Sequence, residues 1–128
     1  MNPVVHFEMP AEDKQRVKKF YEQAFGWQMQ ILGPEMNDYV LATTTPADDK
    51  GRPKDPGAIN GGFYQKTAEY KEPSIVIAVD NLETSMELVT KAGGKILNQP
   101  MDIPGIGKFD SFIDTEGTRV GMLQPAEM

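Results

Sequence analysis

The chain has no cysteine, which removes disulfides, thiolate metal sites and cysteine nucleophiles from consideration. Long apolar runs are missing too. Nothing approaches the roughly 18–20 residues that span a bilayer, and the opening MNPVVHFEMPAED has neither the basic start nor the apolar stretch of a signal peptide. Basic residues are in the minority, 13 Lys and Arg against 19 Asp and Glu, and they are scattered among the acids to leave a net charge of −6. Phosphate binding needs clustered cations, so nucleic acid is not an expected partner. These absences point to a cytoplasmic protein that acts on small molecules and engages neither membranes nor nucleic acid. Histidine and tryptophan each occur once, as His6 and Trp27.

What is present is enough for one globular domain over residues 1–128, with 39% hydrophobic and 25% charged residues. In VVHFEMP, Val5, Phe7 and Met9 alternate with His6 and Glu8, the period of a strand with one apolar and one polar face. Helical spacing follows over residues 11–25, where Val17, Phe20, Tyr21, Ala24 and Phe25 share a face expected to be core, and Gly26 supplies a stop. Trp27 is expected to cover the helix end or to make a dimer contact.

The same order returns in SIVIAVDNLETSMELVTKAGG: a buried strand from Ser74 to Val79, a capping-box pattern at Asp80 and Glu83, a stripe of Leu82, Met86, Val89 and Ala92, and a stop at Gly93-Gly94. Ser74 stands 68 residues after His6, as Gly94 does after Gly26, so the chain carries an internal repeat. Strand-like runs follow each helix: WQMQIL, DYVLATT and INGGFYQ, then KILNQP, KFDSFID and RVGMLQ. The turns KDPG and DTEG align Gly57 with Gly117, and hence Gly61 with Gly121, at a spacing of 60. The expectation is an α+β fold of two β-α-β-β-β modules, about residues 3–66 and 72–125, forming a curved mixed sheet around a cavity.

On this pattern His6 and Glu8 face the cavity while Val5, Phe7 and Met9 pack on the helix. Two readings of the pair stand: a structural imidazole bonded to Glu8 or backbone, or a pair that binds or protonates a ligand. The stretch TTPADDKGRPKDPGA, residues 44–58, reads as an exposed connection, either a long hairpin link or a flap over a pocket. DIPGIGKF lacks the strand-to-helix setting of a phosphate loop, and neither a Ser-His-Asp order nor Gly-x-Ser-x-Gly occurs. Tyr39, Phe63, Phe109 and Phe112 lie on strand-like runs whose inward phase the pattern does not set.

The paired modules, HFEMPAEDKQRVKKFYEQAFGW, VDNLETSMELVTKAGGKIL and IPGIGKFDSFIDTEGTRVGMLQ together resemble the glyoxalase/bleomycin-resistance/dioxygenase group, the vicinal oxygen chelate superfamily, over essentially the whole chain. In its metal-dependent members a divalent ion is held by one residue from the first and one from the last strand of each module, typically His and Glu. Carried over, the first-strand positions are His6 and Ser74 and the last-strand positions Gly61 and Gly121, and only His6 matches. The resemblance therefore implies a homodimeric small-molecule binding protein that works without a metal or other cofactor, its ligand contacted by His6, Glu8 and Ser74. The alternative it leaves open is a divergent metal-dependent lyase, similar to lactoylglutathione lyase, or a dioxygenase. There His6, Glu8 and a residue from an unassigned strand would hold Zn, Ni, Mn or Fe.

Overall fold

A computed structural model describes residues 1–49 and 53–126. The chain divides into two compact units, His6–Pro73 and a second unit made of Met1–Val5 with the chain from Ser74 onward.

In the first unit β1 (Val4–Ala11) leads into α1 (Lys14–Phe25), then β2 (Gln28–Ile31), a 3-10 turn (Pro34–Met36), β3 (Val40–Thr43) and β4 (Asn60–Gln65). Asp13 caps α1 by accepting from the Arg16 amide at 2.9 Å, and Gly26, at φ 71°, ends it with its N–H on the Glu22 carbonyl. The sheet order is β2-β3-β4-β1, with β4 parallel to β1 and the other pairs antiparallel. Side chains of paired residues share a face, so the register sorts the sheet into two. Met29, Val40, Ala42 and Phe63 form the buried core with Ala11, and Phe7, Met9, Val17, Tyr21 and Trp27 pack against it. The expected alternation along β1 is thus present.

Two of the aromatic residues expected in this core are not in it. Phe20 and Phe25 are 56% and 64% exposed. At about 100° per residue they lie roughly 80° and 60° from the Val17–Tyr21 line that meets the sheet, so they project over its flanks. Trp27 stacks on Tyr21 with ring centroids 4.6 Å apart and covers the end of the helix.

The connection from β3 to β4 is tied at its base. The Thr44 and Thr45 amides donate to Asn60 Oδ1 at 2.7 and 3.1 Å, and the Thr45 hydroxyl donates to Asp55 Oδ2. Of the stretch 44–58, expected to be a hairpin link or a flap over a pocket, residues 50–52 lie outside the described residues.

The second unit repeats the plan: β5 (Ser74–Ala78), α2 (Leu82–Lys91), β6 (Lys95–Ile96), β7 (Met101–Ile103), β8 (Gly107–Ile113) and β9 (Arg119–Pro125). Its order is β5-β9-β8-β6, with β7 pairing β8. The sequence pattern does not separate β7, a three-residue strand, from the Gly-rich turn after it. The helix cap also shifts by one residue: Asn81, not Asp80, accepts from the Thr84 amide, while Gln124 accepts from that of Leu82. Leu82, Val79 and Met122 are the buried core under α2, with Ile77, Met86, Val89 and Phe112 around them. No helix among the described residues is long and apolar enough to cross a membrane.

Candidate functional site

In the first unit the face of the sheet opposite α1 is mostly polar. Register places His6 beside Asn60, Glu8 beside Gly62, Leu41 beside Gly62 and Gln30, and Thr43 beside Gln28. His6 and Glu8 point the same way because they are two residues apart on one strand. Their side chains are joined by a third residue. Tyr39 stands just before β3; its hydroxyl donates to Glu8 Oε2 at 3.1 Å and lies 3.2 Å from His6 Nε2. A hydroxyl has one proton, and here it goes to the carboxylate. The imidazole therefore supplies the other bond: Nε2–H donates to the Tyr39 oxygen, so that in the neutral ring the proton sits on Nε2 and Nδ1 is the acceptor.

Electrostatics favour that neutral form. Burial lowers the His6 pKa from 6.5 to about 4. Burial, then the charge of Glu8 and the hydrogen bond to it, push the Tyr39 phenol well above its ordinary value of 10. Because His6 is the only histidine, an NMR pH titration of its ring reads the site directly, with an expected midpoint near 4. A midpoint at or above 6.5, the ordinary value, would refute the buried geometry. The linked stability follows in sign. A folded pKa below the unfolded one means that the contribution is full above about 6.5 and is lost as pH falls towards 4.

Tyr39 has room only because position 62 has no side chain. A Cβ built at Gly62 would run into the Tyr39 ring, whereas one at Gly61 would run into the Phe7 ring on the helix side. This corrects the alignment of the repeat within the last strands. Gly57 and Gly117 both turn the chain, at φ 84°. Two residues, Ala58 and Ile59, separate Gly57 from the start of β4 at Asn60, but only one, Thr118, separates Gly117 from the start of β9 at Arg119. One extra residue exchanges the faces of a strand. The residue paired with Glu8 is accordingly Gly62, and its counterpart paired with Val76 is Gly121. Gly61 belongs to the helix side.

Ser74 lies in the second unit, where it is buried. Its hydroxyl donates to the Arg119 carbonyl at 3.0 Å. The structure thus brings His6 and Glu8 together through Tyr39 and gives Ser74 a backbone partner. Sequence reasoning missed Tyr39 as a site residue; its position just before an alternating run was visible, but its phase was not.

These residues do not fit a divalent cation of the superfamily's type. In the first unit the imidazole Nε2 is bonded to Tyr39 and the Tyr39 ring fills the space over Gly62. In the second, Ser74 is a weak donor already on a carbonyl, and the space over Gly121 is taken by the Phe109 ring and Val76. Among the described residues no group of three or more His, Cys, Asp or Glu side chains could hold a metal ion.

The fold is shared with solved proteins. The methylmalonyl-CoA epimerase of Streptomyces coelicolor, solved with 2-nitronate-propionyl-CoA, superposes with a TM-score of 0.69 at 13% identity, covering 100% of this chain and 97% of that one. This is the α+β glyoxalase/bleomycin-resistance fold. Residues 4–45 match the family described as bleomycin resistance protein-like, N-terminal. A glyoxylase-like domain-containing protein of Didymella fabae is 36% identical over 86% of this chain and 84% of its own length. A lactoylglutathione lyase of Oryza sativa subsp. japonica is 30% identical over 98% of this chain, which spans 45% of that enzyme. The chain belongs to the glyoxalase-like family of the glyoxalase/bleomycin-resistance superfamily.

Proposed function

We propose that the protein binds a small organic molecule without a metal, on the polar sheet face that carries His6, Tyr39 and Glu8. The observation that carries this reading is the hydrogen-bonded chain from His6 through Tyr39 to Glu8. It turns the one imidazole into a fixed, neutral group with an acceptor nitrogen, and a fixed acceptor selects a ligand that offers an N–H or O–H donor. Ser74 is proposed separately, as a ligand contact within the second unit. The acidic balance of the chain, −6 overall, disfavours polyanionic ligands. A homodimer and a cytoplasmic setting belong to the same proposal.

The test uses chelator-treated protein. Isothermal titration with metal-free bleomycin, alongside a thermal-shift screen of small amines, phenols and diols, should find saturable binding that His6→Gln weakens about tenfold, the size of one well-made hydrogen bond of roughly 1.4 kcal/mol. Binding that appears only when Zn, Ni, Mn or Fe is restored would overturn the reading.

The likeness to the rice lactoylglutathione lyase supports a second reading, a divergent metal-dependent lyase. It requires stoichiometric metal in purified protein, by elemental analysis, that disappears in His6→Ala.

A further inference from the structure

The turn that delivers Tyr39 is strained, and a distant side chain bonds to its two left-handed residues. Between β2 and β3 the chain passes through the 3-10 turn and then through Asn37 and Asp38, both at φ 54°. Two successive non-glycine residues in the left-handed region are costly, although Asn and Asp tolerate it best. The turn has its own bonds, Asp38 N–H to the Gly33 carbonyl at 3.2 Å and Tyr39 N–H to that of Met36 at 3.1 Å. The carbonyls of the two strained residues point instead to Lys14, whose ammonium donates to Asp38 O at 2.9 Å and Asn37 O at 3.4 Å.

Lys14 is a poor choice for its own helix. It is the first residue of α1, there is no acidic residue in that first turn, and a cation at a helix N-terminus opposes the helix dipole. A lysine that works against its helix while bridging two carbonyls 23 and 24 residues away acts on the turn. The next residue after the turn is Tyr39, which closes the His6 and Glu8 chain.

We propose that Lys14 is a positioning residue for the site: by holding the Asn37–Asp38 turn in its left-handed form it fixes the Tyr39 hydroxyl between His6 and Glu8. This rests on the site reading given above, but its test needs no ligand. The tautomer of a lone histidine is read from its two ring nitrogens by 15N NMR at neutral pH. Wild-type protein should show one Nε2–H tautomer with a slowly exchanging ring proton. Lys14→Met keeps the stem and removes the charge; it should give mixed tautomers and a ring proton exchanging at least tenfold faster, with the thermal midpoint within about 2 °C of wild type because the relieved helix end offsets the lost turn bonds. Lys14→Arg should restore the wild-type spectrum, and Tyr39→Phe supplies the reference for a broken chain. If Lys14→Met keeps the wild-type tautomer and exchange rate, whatever its stability, the proposal is overturned. Because the readout is ligand-free, failure to bind metal-free bleomycin would count against the site's proposed function and leave this result standing.

Discussion

Asp110→Asn is expected to stabilise the protein at neutral pH by about 1–3 kcal/mol, a rise of several degrees in thermal midpoint. Asp110 sits in the middle of β8, 2% exposed, on the side of the sheet that faces α2, beside Met122. Its Oδ1 accepts from the Ser111 amide at 2.7 Å, whereas Oδ2 is buried and has no partner among the described residues. An ionised carboxylate with one oxygen unsatisfied is the arrangement that burial penalises most. Burial accordingly raises the Asp110 pKa above 3.8, against the opposing hydrogen bond from the Ser111 backbone.

The sign of the linkage follows from that direction. A carboxyl with a raised folded pKa contributes stability that is full below the unfolded value of 3.8 and is lost as pH rises through the folded value. Asparagine keeps the Oδ1 acceptor and cannot ionise. Urea midpoints of wild type and Asp110→Asn, measured from acid to neutral pH, should therefore diverge upward, with the variant gaining most at neutrality. His6 slopes the opposite way between about 4 and 6.5, but it is common to both proteins and cancels in the difference. A variant that is less stable at pH 7, or a difference that does not change with pH, would show that Asp110 has a partner that compensates its charge.

Features set by neighbouring residues are legible in the sequence, and those set by distant ones are not. The period of two in Val5–Met9 is local, and it placed His6 and Glu8 on one face and Phe7 and Met9 on the other, as the packing shows. The helical spacing and its glycine stop located α1 for the same reason. The width of the buried stripe was not local: only the position of the sheet decides that Tyr21 is covered while Phe20 and Phe25 are not. Nor was the register of β4. The spacing of Gly57 and Gly117 aligned the turns correctly but carried no information about the extra residue that follows the first of them, and a single residue sufficed to exchange Gly61 for Gly62. Tyr39 lay furthest out of reach. It arrives through two left-handed residues held by a lysine from another element, and no periodic pattern encodes such a turn.

That register supplies the sharpest test of the site. Gly62→Ala should lower stability by about 1–3 kcal/mol and break the contact between His6 and Tyr39, because the new methyl group and the Tyr39 ring claim the same space. The strand cannot move aside, since β4 lies between β1 and β3 and is bonded to both. The ring must leave. Gly61→Ala is the comparison: its methyl group meets the Phe7 ring and carbonyl and does not touch Tyr39, so stability should fall while the Tyr39 ring keeps its place over Gly62. A double-mutant cycle isolates the cause. In a Tyr39→Ala background the clash is gone, and Gly62→Ala should then cost at least about 1 kcal/mol less than in wild type. Additive effects, or an undisturbed His6 spectrum in Gly62→Ala, would mean that the absent side chain at position 62 is not what admits the tyrosine to the site.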